Sequence, residues 1–182
     1  MRHIKIIRSI SLIISLFLIT SCSNNSAMKP EDFKNKEPRL IIEEYLTGNV
    51  KAWGVLQNRS GKVTRQFSAD LDGTWDGKQL ILKEKFNWDD GEVQNREWTI
   101  NKINENNYEG RAGDVVGKAI GYSYGPAFKF EYVLLVPVKG KEMKITFDDW
   151  IFKQDDRVAI NRATMTKFGI KVAELTVVFV KD

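Results

Sequence analysis

Four single charges interrupt rows of residues that are otherwise apolar. Read in steps of two, Val63, Phe67, Ala69 and Leu71 form one row with Arg65 inside it, and Leu80, Leu82, Phe86 and Trp88 form another around Glu84. Arg96 shares parity with Trp98 and Ile100, and Arg162 with Val158 and Ile160. Burying an unpaired charge costs several kcal/mol, so each of these groups is expected to be paired, hydrated or close to an open mouth. Two inward guanidinia could also hold a carboxylate or phosphate headgroup bidentately. A fifth residue joins them. Apolar parity changes across Phe147-Asp148-Asp149-Trp150, from Met143, Ile145 and Phe147 to Trp150 and Phe152. That change predicts a β-bulge, which would turn Asp149 inward as a partner for an Arg or simply curve the sheet. If Glu84 pairs with an inward Arg, Glu84→Gln is expected to destabilise the fold or weaken ligand binding. If bulges shift the register, the same charges face water instead.

Other chemistries lack their residues. His3 and Cys22 are the only His and Cys in the chain. Beyond position 22 there is therefore no Ser-His-Asp triad, no thiol nucleophile and no His/Cys zinc or haem ligation, and no cofactor is expected. Gly117-Lys118-Ala119 lacks the Ser or Thr of a phosphate-binding loop. Four acid pairs occur (Glu43-Glu44, Asp89-Asp90, Asp148-Asp149 and Asp155-Asp156), but neighbours on a strand point to opposite faces. A carboxylate enzyme would need two acids, or an acid with a Tyr or Lys, converging on one pocket, so a non-enzyme is the expectation.

The elements that must position these groups are strands. From Glu37 onward the apolar period is two, and the segments are punctuated by turn chemistry at Arg59-Ser60-Gly61, Asp76-Gly77, Asp89-Asp90-Gly91, Lys139-Gly140-Lys141 and Gln154-Asp155-Asp156. Phe128, Phe130, Tyr132, Leu134, Val136 and Val138 alternate cleanly opposite Lys129 and Glu131. Nine or ten such strands are expected, with a short helical turn near Pro30–Phe33. A meander this long normally closes to remove its edges. The fold class is therefore all-β, an antiparallel up-and-down barrel of the lipocalin kind, with a two-sheet β-sandwich as the alternative. Within 113–125 the odd positions are nearly all small, from Gly113 to Gly125. Facing inward they would leave space in the lumen; facing outward they would admit a lid or partner.

The first 21 residues read as an export signal. Arg2, Lys5 and Arg8 precede an apolar stretch at 10–19, too short for a bilayer core that needs roughly 20 apolar residues. Ile19-Thr20-Ser21-Cys22 resembles a bacterial lipobox, which implies diacylglyceryl and palmitate-type acylation at Cys22. Ser23 in place of Asp resembles the pattern that sorts lipoproteins to the outer membrane, on its periplasmic face. Residues 22–36 then form the lipidated Cys and tether, and 37–182 the single barrel domain. Without the signal, 25 basic side chains (28 less three) face 24 acidic ones. That balance argues against nucleic acid as a partner.

Several segments together resemble the bacterial lipoprotein family of domain of unknown function 3833. They are EPRLIIEEYLTGNVKAWGVLQNRSGKVTRQF, GTWDG, WDDGEVQNREW, YEGRAGDVVGKAIG, FDDWIF and INRATMTKFGI. The resemblance implies a lipid-anchored envelope protein with a lipocalin-like barrel, and no reaction or catalytic residue. The functional expectation is a binding module for a fatty-acyl or phospholipid ligand, its anionic head held by Arg65, Arg96 or Arg162. The alternative is a structural or interaction lipoprotein, accessory to an envelope enzyme or assembly system.

Overall fold

The computed structural model describes residues 27–138 and 140–182. The segment expected to be an export signal, Cys22 and the start of the expected tether lie outside the described residues, as does Lys139 of the turn read from the sequence. Ten strands follow a 3-10 turn (Pro30–Phe33) and one short helix, α1 (Ile42–Leu46). They are β1 (Gly48–Asn58), β2 (Val63–Trp75), β3 (Gln79–Trp88), β4 (Val93–Lys102), β5 (Asn107–Arg111), β6 (Ala119–Tyr124), β7 (Ala127–Val138), β8 (Lys141–Lys153), β9 (Val158–Lys167) and β10 (Ile170–Lys181). Each pairs antiparallel with the next, and β10 returns to β1 from Val50↔Lys181 to Asn58↔Ala173, so the sheet closes into a barrel. Closure decides against the sandwich. The ladder is complete within β1–β10, so a chain of residues 23–182 carries everything the barrel needs to fold.

An up-and-down order sends alternate connections to opposite ends. The β1–β2, β3–β4, β5–β6, β7–β8 and β9–β10 connections rim one end, here called the mouth. The other end is closed by α1, a departure from the continuous period-two reading beyond Glu37. Leu40, Ile42, Tyr45 and Leu46 are buried there, and the Tyr45 hydroxyl donates to the Arg157 carbonyl at 2.9 Å. Glu43 is buried with them, its carboxylate bound by the Lys102 ammonium and by the Tyr108 hydroxyl at 2.9 Å. Burial pushes its pKa up, but Lys102 and the hydrogen bonds more than cancel that and hold it below the usual carboxylate range.

Gly73 on β2 lets α1 sit this close, because a Cβ there would lie 1.9 Å from the Leu46 carbonyl oxygen. Gly73→Ala is expected to lower the urea midpoint by an overpacking cost of about 1–3 kcal/mol or more. Gly113→Ala, with nothing within 4 Å of its added methyl, should change it little. Equal midpoints for the two variants would show that α1 does not seal the barrel.

The bulge expected at Asp148-Asp149 is absent. β8 runs without a register shift against both β7 and β9, and the shifts that do occur lie at Leu56/Gln57 and Lys171/Ala173. The apolar parity changes for another reason. Trp150 and Phe152 face outward beneath Phe33 of the N-terminal 3-10 turn, with ring centroids 6.0 and 5.5 Å away. This part of the outer wall is itself covered, so both faces of β8 are apolar.

Candidate functional site

The barrel encloses a cavity of about 480 Å³, within the roughly 300–1,000 Å³ range of small-molecule sites. Its apolar wall combines Phe67, Phe86, Trp98, Phe130, Phe147 and Phe179 with Leu71, Leu82, Ile151, Met165, Leu175 and Val177, above the α1 residues Ile42 and Leu46. The rings interlock. Trp98 lies 5.2 Å from Phe130, and Tyr132 stacks on Phe147 at 5.0 Å. Gly54 and Gly110 admit this packing, since a Cβ on either would meet Phe67 or Phe130 at 2.3 or 2.4 Å. The small residues of β6 behave likewise. Gly121 faces inward, but Phe128, Phe130 and Tyr108 fill the space beside it. The inward small residues thus accommodate rings rather than leaving open lumen.

A polar belt crosses this wall. Glu84 and Arg96 are direct cross-strand partners on β3 and β4, yet their closest approach, Arg96 Nη1 to Glu84 Oε2, is only 3.8 Å. Arg96 gives its two hydrogen bonds to Asp114 Oδ2 instead, from Nε at 3.0 Å and Nη2 at 2.7 Å. Asp114 belongs to the β5–β6 connection, which lies along β7 through Val116 N–H to the Val133 carbonyl and Leu135 N–H to the Asp114 carbonyl. On its β5 side, β4 is paired only from Thr99 to Lys102. The Arg96–Asp114 pair therefore ties the connection to the mouth-side half of β4.

Across the lumen, Asp149 accepts hydrogen bonds from the Tyr132 hydroxyl at 2.9 Å and from the Asn161 amide. It faces inward by continuing the odd-numbered row Ile145, Phe147, Asp149, Ile151, with no bulge required.

Burial dominates the electrostatics of the belt. Glu84, whose side chain is 12% exposed, is pushed up to about 7 by desolvation, with Arg96 opposing and the charges of Asp149 and Asp114 adding to the rise. Asp149 is pushed up to about 6 by desolvation, against its hydrogen bonds from Asn161 and Tyr132. Glu84 Oε2 and Asp114 Oδ1 have no hydrogen-bond partner, and neither have the buried donors Arg65 Nε and Trp88 Nε1 elsewhere on the same wall. The belt thus presents unused acceptors, and at neutral pH Glu84 is poised between accepting and donating. Among the described residues, no group of three or more His, Cys, Asp or Glu side chains could hold a metal ion.

Of the other sequence-derived residues, Arg65 lines the cavity near the mouth. Its Nη2 lies 2.8 Å from both Asp90 and Glu92 on the β3–β4 connection, and its guanidinium stacks 4.0 Å over Trp88. Arg162 is not at the site. Its side chain is 67% exposed on the outer wall, with Glu174 at 3.7 Å. On β9 the inward row is Ala159, Asn161, Ala163 and Met165. Ile160, which suggested the opposite parity, lies outward between its cross-strand neighbours Phe152 and Val178. The cavity wall carries two cations, Arg65 and Arg96, against Glu84, Glu92, Asp114 and Asp149. Both guanidinia are engaged by carboxylates, so no surplus positive charge awaits an anionic headgroup.

The site residues missed in the sequence are Asp114, Tyr132 and Asn161. Tyr132 was visible as a hydroxyl in an inward row. Asp114 and Asn161 depend on a loop placement and a register that no local pattern carries.

The barrel has counterparts among solved structures. The S-type phycobiliprotein lyase from Guillardia theta superposes with a TM-score of 0.58 at 11% identity, covering 77% of this chain and 90% of its own. A protein of unknown function from the DUF3598 family of Nostoc punctiforme superposes with a TM-score of 0.57 at 12% identity, covering 81% of this chain. This chain spans about half of that protein, 51% of its length. Both are lipocalin-like barrels, and at such identities they speak for the fold alone. No curated protein matches the sequence significantly. The profile of one family, "Protein of unknown function (DUF3833)", matches residues 16–181. The chain with the enclosed, belted lumen described above belongs to that family.

Proposed function

We propose that this protein is a binding module whose lumen holds a lipid or acyl chain, carried by an outer-membrane lipoprotein anchored through acylated Cys22 on the periplasmic face. The observation that carries the reading is the enclosed aromatic and aliphatic cavity crossed at one level by unsatisfied polar atoms. Apolar walls take a chain by area-proportional burial, and a few placed polar groups fix its orientation. The head that suits the belt differs from the anionic one expected from the sequence. Glu84 and Asp114 offer free acceptors while Arg96 is engaged, so a hydroxyl, amide or protonated acid group fits better than a phosphate.

The test is mass spectrometry of organic extracts from purified residues 23–182, with displacement of a fluorescent fatty acid as a second readout. One lipid recovered per protein, or saturable displacement, is expected. Recovery of none together with no probe binding would sink the reading.

One arrangement supports a second reading. Glu84 and Asp149, both with pKa values raised toward neutrality, line the same cavity beside Tyr132, as acid–base chemistry on a bound lipid would require. Chemical change of the bound lipid on incubation, abolished in Glu84→Gln, would favour it over simple carriage.

A further inference from the structure

Ten large apolar side chains are exposed among the described residues, and six of them lie in, or at the strand ends flanking, the connections that rim the mouth. They are Val63 after the β1–β2 turn, Val93 after β3–β4, Val116 in β5–β6, Val138 before β7–β8, and Phe168 and Ile170 at β9–β10. No single hairpin accounts for this, since all five contribute. Phe168 is the extreme case. It is 93% exposed and is the one non-glycine residue of positive φ (51°) among those described. A bulky side chain in that backbone region is uncommon and strained, and here the strain supports no packing, because the ring points into solvent.

Charge follows the same rim. Arg59 and Lys62 flank the β1–β2 turn, Lys141 and Lys144 begin β8, and Lys167 and Lys171 flank Phe168. β1 pairs with β10 and β8 with β9, so these three hairpins are consecutive around the mouth. Glu142 lies among them, and Glu174 on β10 pairs with Lys171 at 2.7 Å, so the basic side chains outnumber the acids six to two. Of the three acids of the β3–β4 connection, Asp90 and Glu92 are taken up by Arg65, and Asp89 lies outside the three basic hairpins. The mouth therefore combines separated apolar tips with a basic arc around the opening of an apolar cavity.

From this we infer that the mouth docks on an anionic lipid bilayer, with Phe168 and the neighbouring valines entering the headgroup region and the lysine arc facing lipid phosphates. A protein partner would call for a contiguous apolar patch. Tips spaced around an opening suit a deformable surface, and apolar burial plus attraction of cations to anionic lipid is the general mode of interfacial binding. The inference stands on the rim alone and does not depend on what the lumen holds.

Residues 23–182, which lack the acylated Cys, would be co-sedimented with phosphatidylcholine vesicles with and without phosphatidylglycerol. Binding is expected to the anionic vesicles and to fall with added salt. Phe168→Gly is the diagnostic variant, because it relieves the positive φ while removing the ring. Its melting temperature should equal or exceed that of the parent, while its vesicle partition falls by about tenfold, as loss of one buried Phe side chain implies. Lys167→Glu with Lys171→Glu should weaken anionic binding and leave the weaker phosphatidylcholine binding unchanged. Three outcomes would overturn the inference: no partition onto anionic vesicles at low salt, partition unchanged in Phe168→Gly, or a rim that instead drives self-association, seen as a dimer that Phe168→Gly dissociates. Each can occur with lipid still recovered from the lumen, so failure here is distinct from failure of the lumen reading.

Discussion

Arg96→Leu should be the most damaging single substitution inside the barrel, costing about 3–5 kcal/mol of unfolding free energy as expected when one partner of a buried ionic group is removed. Arg96 is the only cation of the polar belt. It supplies both hydrogen bonds to Asp114 Oδ2 and is the one charge that opposes the upward shift of Glu84. Without it, Asp114 loses its partner and the β5–β6 connection loses its tie to β4. Glu84 and Asp149 then share the lumen with no compensating charge. Asp114 keeps partial contact with solvent, which places the expected cost toward the lower end of the range. Arg96→Lys keeps a point charge but not the paired nitrogens, and should fall between Leu and the parent. Urea denaturation reads all three. The double variant Arg96→Leu with Asp114→Asn should recover part of the loss, because the two residues are directly coupled. A loss below about 1 kcal/mol for Arg96→Leu would mean that Asp114 is fully served by water, as at an exposed pair.

The second large effect concerns pH, and it runs opposite to ordinary acid denaturation. Glu84 is raised from 4.5 to about 7 and Asp149 from 3.8 to about 6. Between those limits these two groups hold more protons in the folded chain than in the unfolded one, so their contribution to stability falls as pH rises from about 4 to about 7, against the opposite contribution of Glu43, Asp76, Asp90 and Asp155, whose pKa values are lowered. The contribution of Glu84 and Asp149 is fully favourable only below the unfolded values and is lost above the folded ones. For Glu84 the span corresponds to on the order of 3 kcal/mol, shared with Asp149 because the two groups interact. Glu84→Gln removes this titration. Relative to the parent it should be more stable at pH 8, close to equal at pH 5, and flatter between. This reverses the loss expected from the sequence, where Glu84 was paired with an inward Arg. The pairing exists, but at 3.8 Å it is too long to cancel the burial of the carboxylate. Parallel pH profiles for Glu84→Gln and parent would show that Glu84 is hydrated and ionised in the native state.

The sequence was informative wherever one face of a strand is buried and the other wet. β2, β3, β4 and β7 alternate in that way, and their inward rows, including Arg65, Glu84 and Arg96, could be read directly. The barrel class followed from the same patterns, and the short helical turn expected near Pro30–Phe33 is present. Reading failed where the outer wall is covered as well. Phe33 shields Trp150 and Phe152, and Ile160 nests between strand neighbours, so apolar residues there no longer mark the inside. That is why a bulge was expected in β8 and why Arg162 was placed in the lumen. Helix α1 was hidden for a related reason, since Ile42, Glu43, Tyr45 and Leu46 are all buried, a charged residue among them, and Glu44 alone is exposed, so its five residues carry no alternation or clear helical stripe. The polar belt needed more than patterns. Asp114 reaches Arg96 only because its loop lies along β7, a long-range placement with no local signature.

The central claim, that the lumen takes an apolar chain, is tested most directly by site-resolved fluorescence quenching. Trp98 is buried against Phe130 in the cavity wall, whereas Trp53 is exposed on the outside of β1. Two variants of residues 23–182, each keeping only one of these tryptophans, would be titrated with a fatty acid brominated along its chain. The account predicts saturable quenching of Trp98 at one equivalent, with Trp53 unaffected. Equal quenching of both, or none at Trp98, would contradict it.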